Sequence, residues 1–178
     1  MANTRTSRNW LRLPVVSASA ESLVQGFLMR RNILTYKAPP GNEGYDLICV
    51  HPDPRHIPRG SQRAQIRVQV KSRYATDCDR GFPLKGRSLN AFDFLVVVFL
   101  NIGEFNRGRD GTTGEREPEF YVLPAAFIRK HHEADAFLGG KVRLKKLQGE
   151  IEEFKDGRGL DLIATALGIA RPVKSRTS

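Results

Sequence analysis

Cysteine is nearly absent from this chain: only Cys49, in an apolar run, and Cys78, in a polar one, among 178 residues. Their spacing matches neither a zinc cluster nor a disulfide framework and suits a reducing compartment. Long apolar runs are missing too. The longest, residues 94–100, has the length of a strand and falls far short of a bilayer's thickness. The N-terminus lacks the apolar segment of a secretory signal, so the expectation is a soluble, cytoplasmic protein without membrane contact. Internal repeats, a glycine-rich phosphate loop and a Ser-His-Asp order are all absent. Acidic residues are in deficit, 19 against 29 Lys and Arg, for a net charge of +10. That surplus favours a polyanionic partner without distinguishing DNA, RNA or an acidic protein. The length supports one sizeable core rather than two.

Residues 1–13 are rich in Arg, Ser, Thr and Asn and read as a flexible basic arm. Residues 14–170 read as a single domain, and 171–178 as a loose basic tail. Within the domain, residues 17–31 carry apolar positions at helical spacing, with Ser17 as the expected N-cap. Residues 33–37 and 45–50 read as strands joined by a Pro-Pro-Gly-Asn turn, and 51–62 as a long loop. Residues 92–100 are continuously apolar after Asp93, as expected of a strand buried on both faces. Residues 76–90 and 101–118 read as loops, 120–123 as a strand and 125–133 as a helix ending in His131 and His132. Adjacent histidines point to different sides of a helix, so this pair is read as complementing the helix's negative end rather than as a metal pair. Residues 141–146 read as a short basic strand, 148–154 as helical, and 159–170 as a closing helix.

Chemistry gathers in two places. Gln65-Ile66-Arg67-Val68-Gln69-Val70-Lys71 alternates polar and apolar residues, the pattern of a strand buried on one face. Upstream, Gly44-Tyr45-Asp46 opens the apolar run Leu47-Ile48-Cys49-Val50. If the two strands pair, Asp46, Gln69 and Lys71 can converge. A carboxylate there needs a cation or several donors to offset its desolvation; a turn aspartate capping local amides is the plainer alternative. Glu21 borders the apolar stripe of the first helix. It is placed either to reach such a site or simply to favour the helix's positive end.

Together, the helix with Glu21, the Gly44-Tyr45-Asp46 strand start and Gln69-Val70-Lys71 resemble the PD-(D/E)XK nuclease superfamily. The likeness extends to archaeal Holliday-junction resolvases and, more nearly, to group I intron homing endonucleases with a Gln-Val-Lys in place of the usual Glu-X-Lys. It runs from about Ser17 to Lys71 and more loosely over residues 92–124. The resemblance implies an α/β fold, a restriction-endonuclease-like core with a mixed central β-sheet flanked by helices. It further implies a DNA endonuclease using Mg2+, with Mn2+ as substitute. Asp46, Gln69, the Val70 carbonyl and Glu21 are then the metal donors, and Lys71 holds or polarises the attacking water. Tyr45 stands where the superfamily has proline, and Gln69 brings an amide where a carboxylate is usual, which removes one negative charge from the metal's shell.

Ser72 and Arg73, next to Lys71, are candidates for gripping a phosphate. Arg55 and Arg59 in the long loop, and Arg80, Lys85 and Arg87 in the second, are candidates for contact with a duplex. The partner expected is nucleic acid, double-stranded DNA before other forms, and a homodimer is a natural arrangement for cutting both strands. Two alternatives remain at this level: a catalytically inactive nucleic-acid-binding protein of the same fold, or a basic subunit of a mobile-element or restriction assembly.

Overall fold

The computed structural model describes residues 9–76, 81–102, 115–133, 139–147 and 149–170. Its centre is a five-stranded mixed sheet in the order β1 (Leu34–Lys37), β2 (Leu47–Val50), β3 (Gln65–Arg73), β5 (Phe94–Phe99), β6 (Glu119–Pro124). All neighbours are antiparallel except β3 and β5, which run parallel from Val68 opposite Phe94 to Arg73 opposite Phe99. Helices α1 (Asn9–Met29) and α3 (Asp156–Ala166) cover one face. Helix α2 (Ala125–His131) and a two-stranded sheet of β4 (Gly81–Pro83) and β7 (Lys141–Arg143) cover the other. The fold is therefore the expected α/β architecture, a mixed central sheet flanked by helices. Among the described residues, no helix is long and apolar enough to cross a membrane.

Side-chain alternation sorts two cores across the sheet. Leu47, Cys49, Ile66, Val68, Val70, Val96, Val98 and Val122 pack with the α1 stripe Val16, Ala20, Val24 and Leu28, and with Leu160, Ile163 and Leu167 of and beside α3. Leu95, Val97, Phe99, Tyr121 and Leu123 face the other way, onto Ile128 of α2 and onto Phe82, Leu84, Val142 and Leu144 of the small sheet and its flanks. Every residue of β5 is buried, as its continuous apolar run requires. The buried Cys49 thiol belongs to the first core. Burial pushes its pKa up to about 12 against a weaker opposing hydrogen bond from the Thr35 hydroxyl, so it packs rather than reacts.

Several boundaries differ from the sequence reading. The first helix begins at Asn9, so Ser17 lies inside it and caps nothing; residues 9–13 of the expected flexible arm are helical, and the rest of the arm lies outside the described residues. Residues 76–90 are not simply a loop: they contain β4 and a 3-10 turn at Gly86–Asn90, because Phe82 and Leu84 are drawn into the second core. Among the described residues of 148–154, only Glu152–Phe154 is helical, as a 3-10 turn. The closing helix starts at Asp156, where Gly159 lies so close to the Phe154 carbonyl and Val122 that a Cβ has no room. Cys78, Arg80 and residues 171–178 lie outside the described residues.

Gly44 sets the approach to β2. Its φ is +119°, and a Cβ at that position falls 2.4 Å from the Ala91 Cβ. Both the backbone conformation and the close approach call for glycine. Gly44→Ala is expected to destabilise the protein by about 1–3 kcal/mol in urea or thermal unfolding. Adding Ala91→Gly is expected to recover the steric part and leave the backbone part; a Gly44→Ala protein as stable as the parent would show that neither constraint operates.

Candidate active site

Asp46 is fastened at three points as the chain enters β2. Leu47 is the residue opposite Val68, yet the Asp46 N–H donates to the Val68 carbonyl at 2.8 Å, a one-residue offset of the kind found at β-bulges. On the other side the Asp46 carbonyl accepts the Ala38 N–H at 2.8 Å. Finally, Oδ2 of its carboxylate accepts the Val70 N–H at 2.6 Å. Offsets of this kind re-aim a side chain, and here they tie the carboxylate to β3 between Gln69 and Lys71.

The carboxylate lies at an open cavity of about 320 Å3 whose walls include Glu21, Asp46, Val70, Lys71, Ser72 and Arg73, together with Ser17, Tyr74 and Pro83. Three elements therefore bring Glu21, Asp46 and Lys71 to one cavity, whereas the strand pattern groups Asp46 and Lys71 with Gln69. Burial pushes the Asp46 carboxyl above its ordinary value of 3.8. The Val70 N–H opposes that shift, the Glu21 carboxylate adds to it, and the ammonium groups of Lys71 and Lys37 oppose it. Among the described residues Lys71 has no ion-pair partner, so its charge acts on Asp46 across the cavity.

Gln69 is placed differently. It is not among the cavity walls; the β3–β5 register sets it beside Leu95, on the second core's side of the sheet. It is 8 % exposed, and its Oε1 is buried without a hydrogen-bond partner among the described residues. An unpaired buried amide oxygen is costly and calls for a physical reason. Among the described residues no three His, Cys, Asp or Glu side chains gather as metal donors.

The other candidates divide by location. Arg73 lines the cavity, but its guanidinium donates to the carbonyls of Ser72, at 3.0 Å, and Gly81, and sits 4.4 Å from the centre of the Phe82 ring. It thereby ties β4 to the end of β3. Arg55 and Arg59 are exposed on the connection leaving the Val50–Gln65 end of the β2–β3 pair, away from Lys71. Arg55 pairs there with Asp53 at 3.0 Å. Lys85 is exposed, and Arg87 pairs with Glu43 at 3.3 Å. The sequence reading missed Lys37, whose Nζ lies 3.3 Å from Oε2 of Glu21. A hairpin of the two first strands puts the end of β1 beside the start of β2, opposite Leu47, and packing of α1 on β1 brings Glu21 to it.

The raised Asp46 pKa has a stability consequence whose sign is fixed. The folded state holds this proton more tightly than the unfolded one, so ionisation favours unfolding and the contribution to stability falls as pH rises through and above the ordinary carboxylate value. Asp46→Asn keeps an acceptor for the Val70 N–H and removes the charge. The metal-free variant is expected to melt above the parent at pH 7, with the gap narrowing toward pH 4. A variant no more stable than the parent at neutral pH would contradict this account of the cavity's electrostatics.

No protein-family model matches the chain, and no curated protein matches it. Among solved structures, the bacterial homing endonuclease I-Ssp6803I is similar over 87 % of this chain and 96 % of that one, at 18 % identity and a TM-score of 0.46. At those values the likeness bears on neither family nor activity, which rest on the residues themselves.

Proposed function

We propose that this protein is a divalent-metal-dependent endonuclease that hydrolyses DNA phosphodiester bonds. The observation that carries the reading is the junction of Asp46, Glu21 and Lys71 at one open cavity, with the buried, unpartnered Oε1 of Gln69 on the same strand as Lys71. Two carboxylates and an amide oxygen are hard donors and suit Mg2+, with Mn2+ as substitute. The desolvated Asp46 carboxylate, facing Glu21 at the cavity, is what a cation there would satisfy. Asp46, Glu21 and the Val70 carbonyl are the residues that would hold it at the cavity, and Gln69, placed on the second core's side, would join them only by turning its amide toward it. When bound, such an ion neutralises charge on the phosphate and on the leaving oxygen.

The chain's own groups do the rest. The Val70 N–H holds the Asp46 carboxylate in one orientation, so little reorganisation is needed when substrate arrives. Lys71, unpaired within the described residues, orients a water molecule by donating to it and stabilises the oxyanion charge that develops on the phosphate. Ser72, also on the cavity wall, offers a hydroxyl to a phosphate oxygen. The net charge of +10 raises the local concentration of a polyanion.

A second reading, a DNA-binding protein of the same fold without turnover, is favoured by the amide at Gln69 and by the absence of a three-residue carboxylate or histidine cluster among the described residues. Supercoiled plasmid separates the two. With Mg2+ or Mn2+ the parent is expected to nick or linearise it, EDTA to stop the reaction, and Lys71→Ala to slow it by at least ~100-fold. Asp46→Ala is expected to abolish cutting while leaving DNA affinity equal or higher. Binding without metal-dependent cutting on any DNA form would establish the second reading.

Under either reading the affinity for DNA is expected to fall steeply with salt, since phosphate neutralisation releases counterions. Fluorescence anisotropy over a range of ionic strength checks this, and a flat dependence would remove nucleic acid as the partner.

A further inference from the structure

We propose that Lys37 is a resident counter-ion: in the metal-free protein its ammonium group occupies the Glu21 carboxylate, and it must withdraw before a divalent cation can be held by Asp46 and Glu21 together. The inference deepens the metal-site reading above and rests on it.

Three separate segments meet here. Glu21 comes from α1, Lys37 ends the edge strand β1, and Asp46 precedes β2. Lys37 stands opposite Leu47 in the β1–β2 ladder, so the hairpin itself carries the ammonium to the carboxylates. Its Nζ is 3.3 Å from Oε2 of Glu21, and Glu21 also lines the cavity with Asp46. Two carboxylates facing one partly dehydrated space repel each other, and a chain that folds before loading a cation needs a substitute charge. Lys37 provides it from within the fold.

The pair is built to be given up. The Lys37 side chain is 49 % exposed and that of Glu21 28 % exposed. A lysine on a flexible stem, half in water, loses little when it swings outward, whereas the backbone-fastened Asp46 carboxylate cannot move away. A cation coordinated by Glu21 and an ammonium group hydrogen-bonded to it are like charges at one carboxylate, so the two compete. Lys71 differs, because it has no ion-pair partner to release among the described residues.

The test is a Mn2+ titration, followed by electron paramagnetic resonance of the free ion, on the full chain, Lys37→Met, Glu21→Gln and the double variant. Thermal melting of each metal-free protein accompanies it. Lys37→Met is expected to bind Mn2+ about two- to fivefold tighter than the parent and to melt lower without metal. In the Glu21→Gln background the same change is expected to alter affinity far less, because no competition remains. Lys37→Arg, which keeps the charge, is expected to resemble the parent, and Lys37→Gln repeats the measurement should Lys37→Met not fold. Equal or weaker binding by Lys37→Met, or an equal gain with and without Glu21, overturns the proposal while leaving the metal site standing. If neither the parent nor any variant binds Mn2+, the metal-site reading itself falls and this inference falls with it.

Discussion

The hydrogen bond from the Val70 N–H to the Asp46 carboxylate is the joint on which the cavity is assembled. It joins the entry of β2 to the middle of β3, at the place where the Asp46 N–H has slipped one residue from ladder register. A carboxylate hydrogen-bonded to a main-chain amide is both oriented and partly compensated for lost water. The compensation is incomplete: desolvation and Glu21 together outweigh the amide and the two lysines. The fold thus holds a carboxylate in a state that further positive charge relieves. The same segment is pinned upstream by Gly44 against Ala91, so position and direction are set by different contacts.

Around that joint the sheet separates roles by face. Val68 and Val70 pack against α1 and give β3 its place, while Gln69 and Lys71 emerge toward the other side. Lys71 reaches the cavity; Gln69 remains buried with an unsatisfied oxygen. Packing energy from two apolar cores tolerates one such orphan, since the burial of a whole strand outweighs the cost of a single amide oxygen. The small sheet contributes a second support, because Arg73 bridges the end of β3 to Gly81 and Phe82.

Much of this was legible in the sequence. The alternation over residues 65–71 identified β3 because one face packs on α1 throughout while the other is polar and buried only at Gln69. The apolar run after Asp93 identified β5 because both faces are covered. The resemblance grouped Glu21, Asp46, Gln69 and Lys71; the cavity walls include Glu21, Asp46 and Lys71 and leave out Gln69. The losses have physical causes. Ser17 looked like a cap, but the helix continues through it, since nothing in its local chemistry stops a chain already helical from Asn9. Residues 81–84 looked like loop because a three-residue strand has too few positions to display a period, and its burial comes from distant partners in β5 and β7. Lys37 was overlooked because its partner Glu21 is brought to it by tertiary packing of α1 on β1, marked by the Gln25 amide on the Thr35 carbonyl at 2.9 Å.

The parallel pairing of β3 with β5 has a kinetic meaning. Parallel neighbours cannot be joined by a tight turn, and here the crossover spans residues 74–93, with β4 and a 3-10 turn inside it. The β1–β2 hairpin and its ladder to β3 are more local, so they pay less loop-closure entropy and can form earlier. Asp46 can therefore dock on β3 before β5 covers that strand's far edge.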